Sequence, residues 1–503
     1  MSRLKLFRSD LSLLLVLAAV GFASDARAQT ETPDETPPTE PGESSESHAE
    51  SESAGTKTPR EDALDALSAT PPKGPLDEDT DLGAQSGEED ADDAEASQAD
   101  EVTKPEANAD DADQEENNEE KKSKAASFFE RFKLSGYTQL RYNGIPTPRS
   151  NPDLINHQGD RSIGGGNGFA IRRARLVLAA DLHQHVAFYF QVDVVSMAGG
   201  TMHTLSLRDL YFDLYFDKKR EFRVRPGQSK VPFGFENLQS SSQRLALDRN
   251  DALNSAVKDE RDLGVFFYYT PRKTQAVHAE IKEKRLKGTG DYGLVALGVY
   301  NGQTANQPEL DGNFHVIGRV AYPFRLRSQL LEVSGGAYWG RFTVRTEDQG
   351  GTMYRLEDDD ASIVDTRGYL AFILYPQPFG IQFEGNLGKG PSQGPRGEDD
   401  RTLIRSRQLI GGAAQIMYKI DEPFGTVSII PFLRAAYYDG GKKSTVNAPH
   451  YLIKELEIGV EWQIIKQIEL TLAYDIVERT SDLYPYDQQS GHVARVQLQV
   501  NYP

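Results

Sequence analysis

The segment FKLSGYTQLRY (132–142) alternates between apolar and polar side chains. Leu134 and Leu140 fall on one face, whereas Gln139 and Arg141 fall on the other. Successive side chains of a β-strand point to opposite faces of its sheet, so this pattern predicts a strand with one apolar and one polar face. The polar face needs water or charged partners, because a buried unpaired charge is costly.

The same alternation recurs in three further segments, HVAFYFQVDV (185–194), RDLYFDLYF (208–216) and VARVQLQVNY (493–502). Strands of membrane-spanning length with this pattern are typical of an outer-membrane barrel that has lipid outside and water inside. A soluble β-sandwich shows the same alternation. Aromatic residues recur near the strand ends, however, and such girdles favour the membrane barrel.

Connection lengths provide a second indication of a barrel. Short links such as 375–379 and 463–467 alternate with long polar ones such as 389–405 and 480–490. Short periplasmic turns and long outer loops are typical of bacterial barrels. If 263–282 forms one spanning element, the chain has 16 strands with both ends periplasmic, whereas two elements there would give an odd 17. The predicted fold class is therefore all-β, a 16-stranded antiparallel transmembrane β-barrel preceded by a disordered acidic segment.

The first 28 residues predict a secretory signal peptide. Arg3, Lys5 and Arg8 precede a short apolar run, and the small-residue triplet ARA (26–28) ends it. The chain is 38% hydrophobic and 26% charged, which is too polar for a helical membrane protein. It contains no cysteine, so burial or a closed sheet has to hold the exported protein together without disulfides.

Residues 29–124 differ from the rest in composition. They carry 31 acidic and 7 basic side chains and no aromatic residue, which predicts a disordered acidic segment in the periplasm. Subtracting −24 for this segment and +2 for the signal peptide from the total of −20 leaves +2 for the predicted barrel, 125–503. Two roles stay open for the acidic segment: a weak electrostatic gate at the pore mouth, or a solvated spacer.

Several motifs resemble one family in order and spacing, over roughly 132–503. They are GFAIRRARLVLAADL (168–182), LRDLYFDLYF (207–216), GQSKVPFGFE (227–236), RDLGV (261–265), YNG (300–302), and Arg319 four positions before Pro323. In these features the chain resembles the phosphate-selective porins O and P. The acidic segment and the insertion TQAVHAEIKEKRLKGTG (274–290) fall outside the family pattern.

The resemblance implies a water-filled homotrimeric channel in outer-membrane lipid, whose third outer loop narrows the lumen and whose inward cations attract inorganic anions or small polar solutes. Guanidinium groups suit this role because they stay charged and offer a planar donor fork to oxyanions. Ten candidate pore-lining and anion-binding residues follow from the strand alternation and the loop: Arg141, Arg173, Arg175, Arg223, Arg225, Lys230, Arg244, Arg249, Lys258 and Arg261.

Two other readings of the lumen stay open. The alternation also points a set of carboxylates inward, which would give a transverse field instead of an anion filter; they are Glu384, Glu455, Glu457, Glu461, Glu469 and Asp475. Alternatively, a plugged barrel could anchor the acidic segment without conducting.

Other motifs give no sign of an enzyme, a metal site, a cofactor or a nucleic-acid partner. HQH (183–185) is predicted to be a polar periplasmic turn, and GGGNG (164–168) a flexible outer loop without the lysine of a phosphate-binding loop. The sequence also offers no convincing pair of nucleophile and base. The protein is therefore predicted not to be an enzyme.

Overall fold

A computed structural model of the protein describes residues 130–144, 154–163, 167–198, 201–357, 362–395, 401–481 and 488–502. The predicted signal peptide and acidic segment lie outside the described residues, as does most of GGGNG (164–168). Within the described ranges, no helix is both long and apolar enough to cross a membrane.

Sixteen antiparallel strands form the barrel. They are β1 (Phe132–Gly144), β2 (Gly168–His183), β3 (Val186–Ala198), β4 (Thr201–Tyr215), β5 (Phe222–Lys230), β6 (Arg261–Tyr269), β7 (Val295–Tyr300), β8 (His315–Leu326), β9 (Gln329–Phe342), β10 (Ile363–Leu374), β11 (Phe379–Gln393), β12 (Arg401–Tyr418), β13 (Ser428–Gly441), β14 (His450–Gln463), β15 (Ile468–Ser481) and β16 (Gln488–Tyr502).

Each strand pairs with its neighbours in sequence, and β1 pairs with β16, with Thr138 opposite Val500. The sheet is thereby closed, and the predicted 16-stranded barrel is confirmed. Two short strands add to this set: Met353–Leu356 runs parallel to the start of β12, and Ile420–Asp421 pairs with β13. Full closure leaves no unpaired sheet edge in the barrel wall, which a membrane requires.

The alternation of faces holds along β1. Leu134 and Leu140 on the outer face are 63% and 45% exposed, whereas Gln139 and Arg141 on the inner face are 0% and 1% exposed. The outer surface carries many other exposed apolar side chains, including Leu370 and Phe372. An apolar exterior of this kind suits contact with lipid.

The prediction of one spanning element over 263–282 is wrong in its second half. Strand β6 ends at Tyr269, Pro271 occupies the N-cap position of a helix, and helix α3 (Arg272–Glu283) follows. Proline cannot donate to a strand ladder, which explains the break, and the buried Thr274, His278 and Ile281 recur at helical spacing. The strand count is unaffected, because α3 belongs to the connection between β6 and β7.

Strand direction fixes which connections share an end of the barrel. The chain enters β1 at the same end as the connections 184–185, 216–221, 270–294, 327–328, 375–378, 419–427 and 464–467. We call this the turn end. Most of these connections are short, as predicted, and the exception is 270–294, which contains α3.

The connection from β5 to β6, residues 231–260, folds into the lumen, and we call it loop 3. It contains helices α1 (Phe235–Leu238) and α2 (Asp251–Ala256). Phe233 contacts Tyr338 of β9 and Tyr369 of β10 edge-on, with ring centroids 5.0 Å apart in both cases. These rings belong to a large apolar cluster that fills the space between loop 3 and strands β6 to β10.

Gly227 permits the close approach of β5 to β4 shortly before β5 leads into loop 3. Its φ of 122° lies in the region that favours glycine, and a Cβ there would lie 2.3 Å from the backbone oxygen of Leu210 on β4. Both constraints exclude a side chain without backbone movement. The geometry supports the structural role that the PG pair in RVRPGQSKVPFG (223–234) suggests.

Candidate functional site

A carboxylate of loop 3 lies between four arginines of the barrel wall. Asp248 is 2.5 Å from both Arg141 and Arg495, 2.8 Å from Arg172 and 2.9 Å from Arg173, measured between guanidinium nitrogen and carboxylate oxygen. Asp160, from the connection between β1 and β2, contacts three of the same arginines at 2.6 to 3.6 Å. Arg495 also pairs with Asp475 of β15 at 3.2 Å, so the set carries four cations against three carboxylates. We call it the Asp248 cluster: Arg141, Arg172, Arg173, Arg495, Asp160, Asp248 and Asp475.

Electrostatics keep the loop carboxylate ionised. Burial disfavours the charge on Asp248, but the surrounding arginines hold the pKa of this carboxyl well below its usual value. The pKa of Asp160 is likewise lowered, because Arg141 and Arg172 outweigh the opposing effect of burial. Asp160 and Asp248 therefore stay ionised beside the arginines.

Arg172 joins the cluster through an irregularity in β2. Gln139 of β1 lies opposite Arg173, but the next residue, Leu140, lies opposite Ile171, so Arg172 is an extra residue on its strand. A bulge of this type re-aims side chains. Strict alternation points Arg172 outward, which is why the sequence did not predict it as a site residue.

A second basic group surrounds the end of loop 3. Glu260 lies 2.5 Å from Arg261, 2.8 Å from Arg244, 3.6 Å from Arg249 and 3.7 Å from Lys230. Arg261 also pairs with a β4 carboxylate at 2.9 Å, which gives four cations and two carboxylates. We call this set the Glu260 cluster: Lys230, Arg244, Arg249, Arg261, Asp209 and Glu260.

Burial opposes the charge on Glu260 too, and the four cations nevertheless hold its pKa well below the usual range. Lys230 also donates hydrogen bonds to the backbone oxygens of Asn237 and Gln239, at 2.8 and 2.6 Å, and so holds the first turn of loop 3 against β5. The cluster is thus both a charged site and a structural attachment.

Three other predicted arginines lie on the inner face in tighter pairs. Arg175 contacts Asp193 of β3 at 2.8 Å. Arg225 donates two hydrogen bonds to Asp213 of β4, at 2.7 and 2.8 Å. Arg223 contacts Asp291 at 2.9 Å.

Arg225 also stacks on an aromatic ring, because its guanidinium carbon lies 3.9 Å from the ring centroid of Tyr211. The tenth predicted residue, Lys258, lies in loop 3 outside both clusters, where burial lowers its pKa. All ten candidates therefore face the lumen or belong to loop 3, and carboxylates engage nine of them.

The predicted carboxylates lie on β11, β14 and β15, all of them inward and buried; they are Glu384, Glu455, Glu457, Glu461, Glu469 and Asp475. Arg434 of β13 lies 3.2 Å from Glu457 and 2.6 Å from Glu236 of loop 3. Glu384 accepts hydrogen bonds from the backbone N–H groups of Phe235 and Glu236, at 3.1 and 2.9 Å. Excess cations thus lie toward β1 to β6 and the predicted carboxylates on β11, β14 and β15, and the two groups meet where Arg495 of β16 contacts Asp475 of β15.

The residues after α3, 284–294, enter the lumen from the turn end, and we call them the arm. Lys287 forms an ion pair with Glu461 of β14 and lies 3.9 Å from Glu469 of β15. The backbone oxygen of Lys287 accepts a 2.5 Å hydrogen bond from Gln239 of loop 3. Neighbouring carboxylates raise the pKa of Lys287 against the effect of burial, so it stays charged.

The turn prediction for HQH (183–185) agrees with the structure, since β2 ends at His183 and β3 begins at Val186. Within the described ranges, no group of three or more histidine, aspartate or glutamate side chains is arranged to hold a metal ion.

A closed 16-stranded barrel with an apolar exterior, a charged interior and a loop folded into the lumen defines the porin class of outer-membrane proteins. The profile of the family described as phosphate-selective porin O and P matches residues 153–502. The chain therefore belongs to this family. No curated protein matched the sequence.

Several solved outer-membrane proteins are similar to this chain at low sequence identity. The channel DcaP of Acinetobacter baumannii is 14% identical, with 74% of this chain and 96% of that chain covered and a TM-score of 0.44. The anion-selective porin from Comamonas acidovorans is 13% identical, with 74% and 98% covered and a TM-score of 0.41. OmpF of Salmonella typhi in complex with daunomycin is 12% identical, with 74% and 97% covered and a TM-score of 0.45.

Proposed function

We propose that this outer-membrane porin passes small hydrophilic solutes by passive diffusion, with a bias toward phosphate and other inorganic anions. The observation that carries the proposal is the excess of cations in the two clusters, four against three in the Asp248 cluster and four against two in the Glu260 cluster. The proposal includes a homotrimer, on the family resemblance, with the N-terminal segment in the periplasm.

Unused donors in both clusters support the anion bias. The Nε atoms of Arg172, Arg495 and Arg244 are buried and have no hydrogen-bond partner among the described residues. A buried donor without an acceptor costs about 1–3 kcal/mol, and an oxyanion that displaces the loop carboxylate from its cluster offsets this cost by accepting the bond. Asp248 and Glu260 compete for the same cations, so an anion is held weakly enough to leave again.

Planar-bilayer recording of the purified protein in a salt gradient tests this function. Steady conductance with a reversal potential of the sign that anion flow requires is the expected result. Added phosphate should reduce chloride current, because both anions need the same guanidinium groups. A reversal potential of cation sign would refute the anion bias while leaving the porin function intact.

A second candidate is a general-diffusion pore with a transverse field, which the buried carboxylates of β11, β14 and β15 favour. A field across the lumen orients dipolar solutes without selecting a sign of charge. The same recording separates the two candidates, because this pore gives a reversal potential near zero and no inhibition by phosphate.

The third candidate is a closed barrel that anchors the acidic segment. It is favoured by the low exposure of inner-face side chains around loop 3, such as Arg141 at 1%, Glu457 at 0% and Arg495 at 1%. A correctly assembled protein that gives no conductance steps would support it over both pores.

A further inference from the structure

The turn end of the barrel has a strongly basic surface on one side. It is formed by the turn 216–221, helix α3 with the first arm residues, and the strand end and turn 325–328. Only five carboxylates accompany its ten cations: Asp217, Glu221, Glu280 and Glu283 within these segments, and Asp181 of β2, which pairs with Arg220. We call this surface the basic face: Lys218, Lys219, Arg220, Arg272, Lys273, Lys282, Lys284, Arg285, Arg325 and Arg327.

Hydrogen bonds join these elements into one surface. The backbone N–H of Arg272 donates to Glu221 at 2.8 Å, and the side-chain amide of Gln275 donates to the backbone oxygens of Lys219 and Arg220, both at 3.2 Å. On the other side of α3, Glu280 forms an ion pair with Arg325 of β8. The helix is therefore fixed between the two turns, and its cations lie beside theirs.

Most of these cations lack a carboxylate partner. Glu280 is shared by Lys284 and Arg325, and Arg220 pairs with Asp181 at 2.8 Å. The carboxylate of Asp217 instead accepts backbone N–H groups of its own turn. Among the described residues, no ion pair engages the exposed side chains of Lys218, Lys219, Arg272, Lys273, Lys282 and Arg327 or the half-buried Arg285.

The sequence supplies a polyanion at the same end of the barrel. Residues 77–120 contain twenty acidic side chains and one lysine. Only residues 121–131 separate this stretch from β1, which begins at the turn end. Eleven extended residues span at most about 40 Å, and a 16-stranded barrel is roughly 30 Å across given about 4.8 Å between strands, so the stretch reaches the basic face.

We propose that residues 77–120 of this chain dock on the basic face. Charge complementarity carries the proposal, since a net charge of −19 on the segment meets +5 on the face, ten cations less five carboxylates. Docking covers α3, whose C-terminus leads directly into the arm. In the docked state the acidic segment contacts the insertion 274–290, which lies outside the family pattern. The segment is then neither free in solution nor bound to the arginines of the lumen.

The full-length chain allows a direct distance measurement, because it contains no cysteine and introduced cysteines are therefore labelled uniquely. One nitroxide is attached in the acidic segment through Ala94→Cys. The second is attached on the exposed surface of α3 through Ala276→Cys or, as the matched control, on the opposite side of the turn end through Gln467→Cys. Labelled chains are diluted with unlabelled chains, so that only distances within one chain are measured by pulsed electron–electron resonance.

Docking predicts a resolved, narrow distance maximum for the 94–276 pair and a longer mean distance for the 94–467 pair. The maximum should be lost in about 1 M salt, where charges are screened over roughly 3 Å. Undocked residues between 94 and 132 would instead give a broad distribution with a root-mean-square length of roughly 30–37 Å. Because β14 and β15 lie nearer to β1 than α3 does, an undocked segment lies at least as close to residue 467 as to residue 276.

Charge reversal makes the test specific to the basic face. Lys218→Glu with Lys273→Glu should broaden the 94–276 distribution, whereas the matched reversal Lys133→Glu with Lys466→Glu, of exposed lysines at the same end, should leave it narrow. Equally broad distributions for both label pairs, unchanged by either reversal, overturn the proposal. A maximum that disappears on dilution with unlabelled chains also overturns it, because the occupant is then the segment of another copy.

Discussion

Asp248→Asn is the most informative single change in the lumen. It removes one negative charge and keeps the shape of the side chain that four arginines surround. The formal charge of the Asp248 cluster then rises by one. For a permeating monovalent ion about 8 Å away, one elementary charge changes the interaction energy by roughly 0.5–1 kcal/mol at an effective dielectric constant of about 40–80.

The change stabilises an anion in the pore and destabilises a cation by this amount. The free-energy difference between the two ions therefore changes by about 1–2 kcal/mol in total. That corresponds to a rise of roughly 5- to 30-fold in the anion-to-cation ratio. The assay is the reversal potential in a planar bilayer under a tenfold gradient of potassium chloride. Asp348→Asn is the matched control, because Asp348 is an exposed loop carboxylate that pairs with Arg355 far from the cluster.

Folding of the variant is checked before its selectivity is interpreted. Removal of one partner of a buried ion pair costs about 3–5 kcal/mol, so the urea midpoint should fall while the strand content stays unchanged. If Asp248→Asn assembles normally and its reversal potential equals that of the wild type, the Asp248 cluster does not set the selectivity.

Three further changes follow from the geometry. Arg225→Gln leaves Asp213 without its bidentate partner and should lower the free energy of unfolding by about 3–5 kcal/mol, measured by urea denaturation, whereas the same change at the exposed Arg327 should have little effect. Gly227→Ala should cost about 1–3 kcal/mol in that assay and Gly168→Ala much less, since a Cβ at 168 meets no atom within 4 Å. Lys287→Met removes the ion pair between the arm and Glu461 and should increase single-channel conductance. Lys284→Met is the control, because Lys284 pairs with Glu280 instead. If both variants conduct like the wild type, the arm does not restrict the pore.

The sequence predicted the wall of this barrel better than its interior. Alternation placed Arg223 and Arg225 on the inner face, because the period of a strand is independent of its partners. It did not predict that Arg223 pairs with Asp291, because that contact depends on where the arm enters the lumen. Arg172 was missed because one extra residue in β2 changes the side to which it points.

The second half of 263–282 was predicted incorrectly because a single strand over 263–282 and a strand followed by a helix both give sixteen strands. Pro271 indicated the break, but two strands within 263–282 would have given an odd total of 17, so a single strand was predicted. Asp248 and Glu260 were not predicted as partners of the arginines, since no local pattern shows which loop carboxylate reaches which wall.

The Asp248 cluster also constrains the order in which the protein assembles. Its arginines come from β1, β2 and β16, so its members are separated by up to 354 positions between Arg141 and Arg495. Loop 3 is synthesised long before β16, and Asp248 lacks one of its four cations until the last strand has paired with the first. The charged centre of the lumen therefore forms only in a barrel that has closed, and a chain truncated before β16 retains loop 3 but cannot complete the cluster.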